Sequence, residues 1–170
     1  MQPRQGKPPD AVSQLFEGLS RCRASLPENE RWRIAGIIQQ ESHRYGYDPL
    51  FVLAMVEVES QCLPTARSHK GAVGLIQLKP STARAMADDA GIRWHGPQML
   101  KRPLFNVQLG LHYLRQLEDQ FRNRSLAMAA YNLGPARVAR MPRQRAEQAG
   151  YVRKIMTRYA DLQAQSVGSS

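Results

Sequence analysis

No stretch of this 170-residue chain approaches the roughly 18–20 consecutive apolar residues of a membrane-spanning helix, so no transmembrane segment is expected. The opening Met1-Gln2-Pro3-Arg4-Gln5-Gly6-Lys7-Pro8-Pro9 lacks the apolar centre of an export signal; an exported protein would have lost its leader or used another route. Cysteine is scarce: Cys22 and Cys62 are the two present, in no CxxC spacing, and the four histidines form neither HExxH nor another ligand pattern. No metal site and no cofactor are expected. Aromatic residues are few and dispersed instead of interleaved with Lys and Arg, and no nucleic-acid motif is present. The formal charge of +10 calls for an anionic partner all the same. Nucleic acid is disfavoured on these grounds, and charge alone does not choose the anion. No alternating run is long enough for a sheet, and neither an internal repeat nor a second domain is evident.

What remains is helical punctuation. Residues 1–9 read as a loose, Pro-rich arm. Asp10 caps a first helix with Val12, Leu15, Phe16 and Leu19 on one side and Cys22 near its end. Pro27 opens a second, which turns Trp32, Ile34, Ile37 and Ile38 inward and stops at Gly46. Asp48-Pro49 starts a third with an apolar body, Leu50 to Val56. Residues near 71–79 read as a short strand pair or an irregular turn. Ser81 to about Ala90 is helical, and residues 91–103 form a loop. Asn106 caps the longest helix, whose stripe of Val107, Leu109, Leu111, Leu114, Leu117 and Phe121 is core; Gly110 inside it signals a closely packed neighbour. A short Ala-rich helix at 125–132 follows. Residues 163–170 read as a flexible tail, which leaves 10–162 as one globular, mainly α domain.

Glu59 ends the third helix. The partial negative charge of a helix C-terminus and apolar surroundings both disfavour a carboxylate, so its pKa should rise, as a general acid requires. Glu57, two residues earlier, points roughly 200° away around the axis and reads as a solvated residue. A plain helix-end carboxylate in a salt bridge is the competing reading of Glu59. Gly71, Gly74 and the apolar pair Leu75-Ile76 before Gln77 form a tight turn that brings backbone close to a ligand.

Four segments in order carry a family signature: Glu59-Ser60; Gly71-Ala72-Val73-Gly74-Leu75-Ile76-Gln77; Ala130-Tyr131-Asn132-Leu133-Gly134; and Glu147-Gln148-Ala149-Gly150-Tyr151-Val152. Together they resemble the soluble lytic transglycosylase (SLT) domain, over about Ile38 to Tyr159. Ile76 stands where a Met is usual, Gln148 where a Thr is usual, and Lys101-Arg102 before Pro103 where an acidic residue is common.

The resemblance implies a lysozyme-like, goose-type fold with a substrate groove and little or no β-structure. It implies cleavage of peptidoglycan between N-acetylmuramic acid and N-acetylglucosamine with 1,6-anhydro ends, Glu59 acting as acid and then as base. Ser60 would orient the acid or the substrate N-acetyl group, or else bond back to its own helix. Gly74, Leu75, Ile76 and Gln77 would line the groove, and Tyr131 and Asn132 would position the sugar. Glu147 and Tyr151 would flank the groove, although a salt bridge to a neighbouring arginine competes for Glu147. A goose-type hydrolase and a non-catalytic wall-binding or assembly module are the alternatives. The expected setting is the periplasm or cell envelope, with secreted or phage-associated protein as alternatives, and with a secretion, conjugation or other envelope-spanning machine as a candidate partner. In an oxidising compartment Cys22 and Cys62 should pair; two buried thiols are the other outcome. From Arg137 to Arg158 seven Lys/Arg stand against one acid, Glu147, either as a solvated face or as a contact for anionic polymer.

Overall fold

The computed structural model describes residues 10–168, so the expected arm at 1–9 lies outside the described residues. Nine α-helices and one 3-10 turn are found there, with no strand. Helix α1, Ala11–Cys22, begins at Asp10, whose carboxylate accepts from the Ser13 amide at 2.8 Å. Helix α2, Glu28–Tyr45, ends on Gly46 in the left-handed region. Its Ile34 and Ile38 go inward, but Trp32 stays 41% exposed and stacks on Phe16 at 4.1 Å, in place of the expected core position. A flat ring lying across the α1–α2 seam covers apolar surface without entering it.

Helix α3, Pro49–Ser60, is the centre of the molecule. Phe51 to Val56 are all buried, so the helix is apolar around its whole girth, the mark of an element enclosed on every side. It packs against α1, α2 and the last helix, α9, Gly150–Gly168. The Tyr159 hydroxyl donates to Asp48 Oδ2 at 2.6 Å near the start of α3, and Tyr151 meets Glu59 at its end, so α9 runs back along it. Between those points Arg158 grips Glu57 through two hydrogen bonds. Glu57 is thus a nearly buried ion-pair partner, which corrects its reading as a solvated residue. Helix α9 also carries on to Gly168, so residues 163–168 are helical where a flexible tail is expected.

The chain leaves α3 sharply. Gln61 and Cys62 both have positive φ, 50° and 61°, an uncommon pair for residues with a Cβ. Two contacts hold the turn: Arg23 Nε donates to the Gln61 carbonyl at 2.8 Å, and Cys62 is disulfide-bonded to Cys22, 40 residues away. Residues 67–78 fold as an irregular loop with two isolated antiparallel bridges, Arg67 to Val73 and Val73 to Leu78. Helix α4, Pro80–Asp89, the 3-10 turn Pro97–Lys101 and helix α5, Pro103–Phe121, follow. Arg102, not Asn106, is the cap of α5. Helices α6, Arg124–Leu133, α7, Pro135–Val138, and α8, Arg143–Glu147, complete the chain before α9.

Candidate active site

A groove of about 640 Å³ opens where the end of α3, the 67–78 loop, the start of α4, the middle of α5 and the α6–α7 junction meet. Glu59, Gln77, Tyr113, Tyr131 and Asn132 line it. Glu59 is the one carboxyl among the lining residues. Burial pushes its pKa up to about 7, against a smaller downward pull from the Tyr151 hydroxyl, which donates to Glu59 Oε1 at 2.5 Å. Burial, with the Glu59 charge next to it, holds the Tyr151 phenol well above its ordinary value, so this hydroxyl keeps its proton and acts as a fixed donor. The other oxygen of Glu59 has no protein partner among the described hydrogen bonds. One oxygen is therefore anchored while the carboxyl as a whole stays protonatable near neutral pH.

The Gly74–Gln77 turn is a scaffold more than a lining. Gly74, Leu75 and Ile76 are buried beneath the groove, and of the turn's predicted site residues Gln77 alone reaches its surface. Asn106, fully buried on α5, clamps the turn: its Nδ2 donates to the Val73 carbonyl at 2.8 Å, and its Oδ1 accepts from the Ile76 amide at 2.9 Å. Gly74, at φ 89°, leaves room for that amide, which a Cβ would strike. The Ile76 carbonyl in turn accepts from the Tyr131 hydroxyl at 2.8 Å. Gly110 lets Ile76 and Tyr131 close over α5; a Cβ there would overlap the Ile76 side chain and sit 2.9 Å from the Tyr131 hydroxyl. A buried amide on one helix thus sets a loop carbonyl, and the carbonyl sets the tyrosine of another helix. Gln77, itself at positive φ, directs its Nε2 to the Gly74 and Ala66 carbonyls at 2.9 and 3.2 Å, which leaves its oxygen as the acceptor for a ligand.

Three site residues take other places. The Ser60 hydroxyl donates to the Val56 carbonyl at 3.0 Å, one turn back in its own helix. Glu147 lies away from the groove lining, paired with Arg143 at 2.9 Å and accepting from Asn123 at 3.2 Å. Tyr151 touches the acid itself. Sequence reasoning missed Tyr113, whose ring faces Tyr131 at 5.4 Å inside the groove. It lies one helical step from Gly110 on the same face, and that spacing was the available signal. Asn106 was noticed, but as a cap.

An all-helical unit with a buried, anchored carboxyl at the end of its central helix and an aromatic-lined groove before it is a domain of the lysozyme-like class. The Transglycosylase SLT domain family matches residues 36–153. The chain belongs to that family. A putative soluble lytic murein transglycosylase of Haemophilus influenzae is 41% identical over 91 residues, 53% of this chain and 15% of the relative. Membrane-bound lytic murein transglycosylase C of the same species is 31% identical over 117 residues, 62% of this chain and 32% of that protein. Among solved structures, an inactive glutamate-to-glutamine mutant of the lytic transglycosylase Slt from Pseudomonas aeruginosa superposes with a TM-score of 0.67 at 31% identity, covering 76% of this chain and 24% of that one. The 70 kDa soluble lytic transglycosylase of Escherichia coli covers 95% of this chain at a TM-score of 0.69; at 21% identity it speaks for the fold alone. The chain therefore spans a third or less of each of these proteins.

Proposed function

We propose that this chain is a peptidoglycan lytic transglycosylase that cuts the β-1,4 bond between N-acetylmuramic acid and N-acetylglucosamine and leaves a 1,6-anhydromuramoyl end. The observation that carries the reading is Glu59: a carboxyl raised to about 7 by burial, with one oxygen held by Tyr151, standing alone among the lining residues of a sugar-sized groove. Glycosidases of the usual kind use two carboxyls set some 5–10 Å apart, the second as nucleophile or as base for water. One carboxyl that both gives and takes a proton suits a reaction with no water in it. In the first step protonated Glu59 gives its proton to the glycosidic oxygen, and the N-acetylglucosamine side departs with a free hydroxyl while the muramoyl N-acetyl group supports C1. In the second, the Glu59 carboxylate takes the proton of the C6 hydroxyl as O6 bonds to C1, which restores the acid. Tyr131, Asn132 and the Gln77 oxygen hold the sugar against the carboxyl.

We place the activity in the periplasm or cell envelope, where the substrate lies and where the Cys22–Cys62 bond persists. Cutting of this sort serves wall turnover or opens a passage for a secretion, conjugation or other envelope-spanning machine. The test is mass spectrometry of muropeptides released from purified sacculi. Anhydro ends, one water lighter than hydrolysis products, support transglycosylation; reducing ends would make the protein a hydrolase.

A further inference from the structure

Three polar contacts tie α9 to α3, strung along both helices: Tyr159 to Asp48 at the start of α3, Arg158 to Glu57 near its end, and Tyr151 to Glu59 in its last turn. Tyr151, Ile155, Arg158 and Leu162 recur at helical spacing, so one stripe of α9 carries the acid's partner, two buried apolar residues and the guanidinium. Ile155 and Leu162 hold the helices together, but apolar contact has no direction and does not fix how far one helix slides along the other. Directional contacts do. Tyr159 and Asp48 meet at the surface, whereas the Arg158 fork meets both oxygens of Glu57, whose side chain is only 10% exposed. A paired fork of this kind is strong and exacting in its geometry. Helix α1 closes on the same carboxylate: a Cβ on Gly18 would lie 4.0 Å from Glu57 Oε1. The pair lies outside the groove, so contact with a sugar gives no account of it.

We infer that Glu57 and Arg158 are a positioning pair for the acid: they fix the register of α9 on α3 and so keep the Tyr151 hydroxyl on Glu59 Oε1. The inference rests on the reading of Glu59 as the acid, and adds to it the contact that holds its partner in place. A slide of α9 by about one ångström would open the 2.5 Å bond. That bond favours the carboxylate, so its loss raises the Glu59 pKa further. The other titratable and charged groups around Glu59, namely Tyr131, Tyr113, His69, Lys70, Lys79 and Arg137, come from other elements and are untouched by changes to the pair.

The experiment follows the Glu59 carboxyl by nuclear magnetic resonance through a pH titration of the full chain with isotope-labelled glutamate, and needs no substrate. Arg158→Met, Glu57→Met and the two together are each expected to raise its pKa by about one pH unit, as Tyr151→Phe does. In the Tyr151→Phe background the double replacement should add nothing, since the hydroxyl it displaces is already gone. Charge acting through space would instead give opposite shifts, because a lone Glu57 carboxylate raises the Glu59 pKa and a lone Arg158 guanidinium lowers it. Opposite shifts, no shift, or a double replacement that acts equally with and without the Tyr151 hydroxyl overturns the inference. A variant that unfolds shows itself, because its Glu59 returns to the ordinary carboxyl range; the double replacement, which strands no charge, then carries the test. Reducing ends in a sacculus digest would remove the transglycosylation reading and leave these shifts where they are.

Discussion

Glu59 is held in a state that is useful and costly. With its folded pKa raised to about 7 by burial, the folded protein binds a proton that the unfolded chain has released between the ordinary carboxyl range and neutrality. The associated stability is fully present in acid, falls as pH rises, and is gone above about pH 7 to 8. Glu59→Gln, which cannot ionise, should therefore unfold at higher denaturant concentration than the parent at pH 9, by as much as about 3 kcal/mol, with the gap closing toward pH 5. Denaturant titrations at the two pH values decide; an equal gap at both would mean that Glu59 ionises freely. On the proposed mechanism the same proton sets the rate. As the acid must be protonated in the free enzyme, kcat/KM should fall as pH rises through about 7. Tyr151 supplies a second test at this scale. Its hydroxyl favours the carboxylate, so Tyr151→Phe should move that descending limb to higher pH. A limb that stays in place, or moves down, would show that the hydrogen bond does not govern the acid.

At the scale of elements, the site is a meeting of α3, the start of α4, α5, the α6–α7 junction, α9 and one loop, and the contacts among them are specific enough to break singly. Asn106→Leu removes both hydrogen bonds that clamp the Val73–Ile76 turn to α5 and leaves the buried Ile76 amide unpaired, while the Val73 carbonyl keeps its bond from the Leu78 amide, a loss of about 1–3 kcal/mol. Thermal or chemical unfolding measures it; a loss below 0.5 kcal/mol, within the ordinary surface range, would mean that the turn is held elsewhere. Breaking the Cys22–Cys62 bond should cost about 2–4 kcal/mol, since it ties α1 to the left-handed turn that ends α3. Most of the helices were legible because their signals are local: Asp10, Asp48 and Gly46 act on backbone groups within a few residues. The raised pKa of Glu59 was legible from its place at the end of an apolar helix. What could not be read depends on partners far along the chain. Glu57 meets Arg158 across 101 positions, Asn106 faces inward onto a loop 30 residues earlier, and Trp32 finds a stacking surface on another helix. Asn106 has the chemistry of a cap and of a buried clamp alike, and only the packing of the 67–78 loop on α5 selects between them. Residues 163–168 have a tail-like composition, yet they prolong a helix already nucleated and docked along α3.

Over the whole molecule, ten excess positive charges favour long-range attraction to an anionic polymer such as the wall of the proposed function, and salt screens such charges within about 8 Å at physiological ionic strength. Retention on intact sacculi should fall as salt rises from low to moderate; retention indifferent to salt would show that exposed basic residues take no part. The basic run from Arg137 onward is not one surface. Arg137 lines the groove, whereas Arg153, Lys154 and Arg158 line a shallow depression together with Glu57. The central claim is that one carboxyl performs both proton transfers without water. It is tested most directly by mass spectrometry of the muropeptides released from sacculi by the parent protein and by Glu59→Gln. The account predicts 1,6-anhydro ends from the parent, and from the variant a rate at least about 10²–10⁴-fold lower with strand binding retained. Reducing ends from the parent, or an active Glu59→Gln protein, would contradict it.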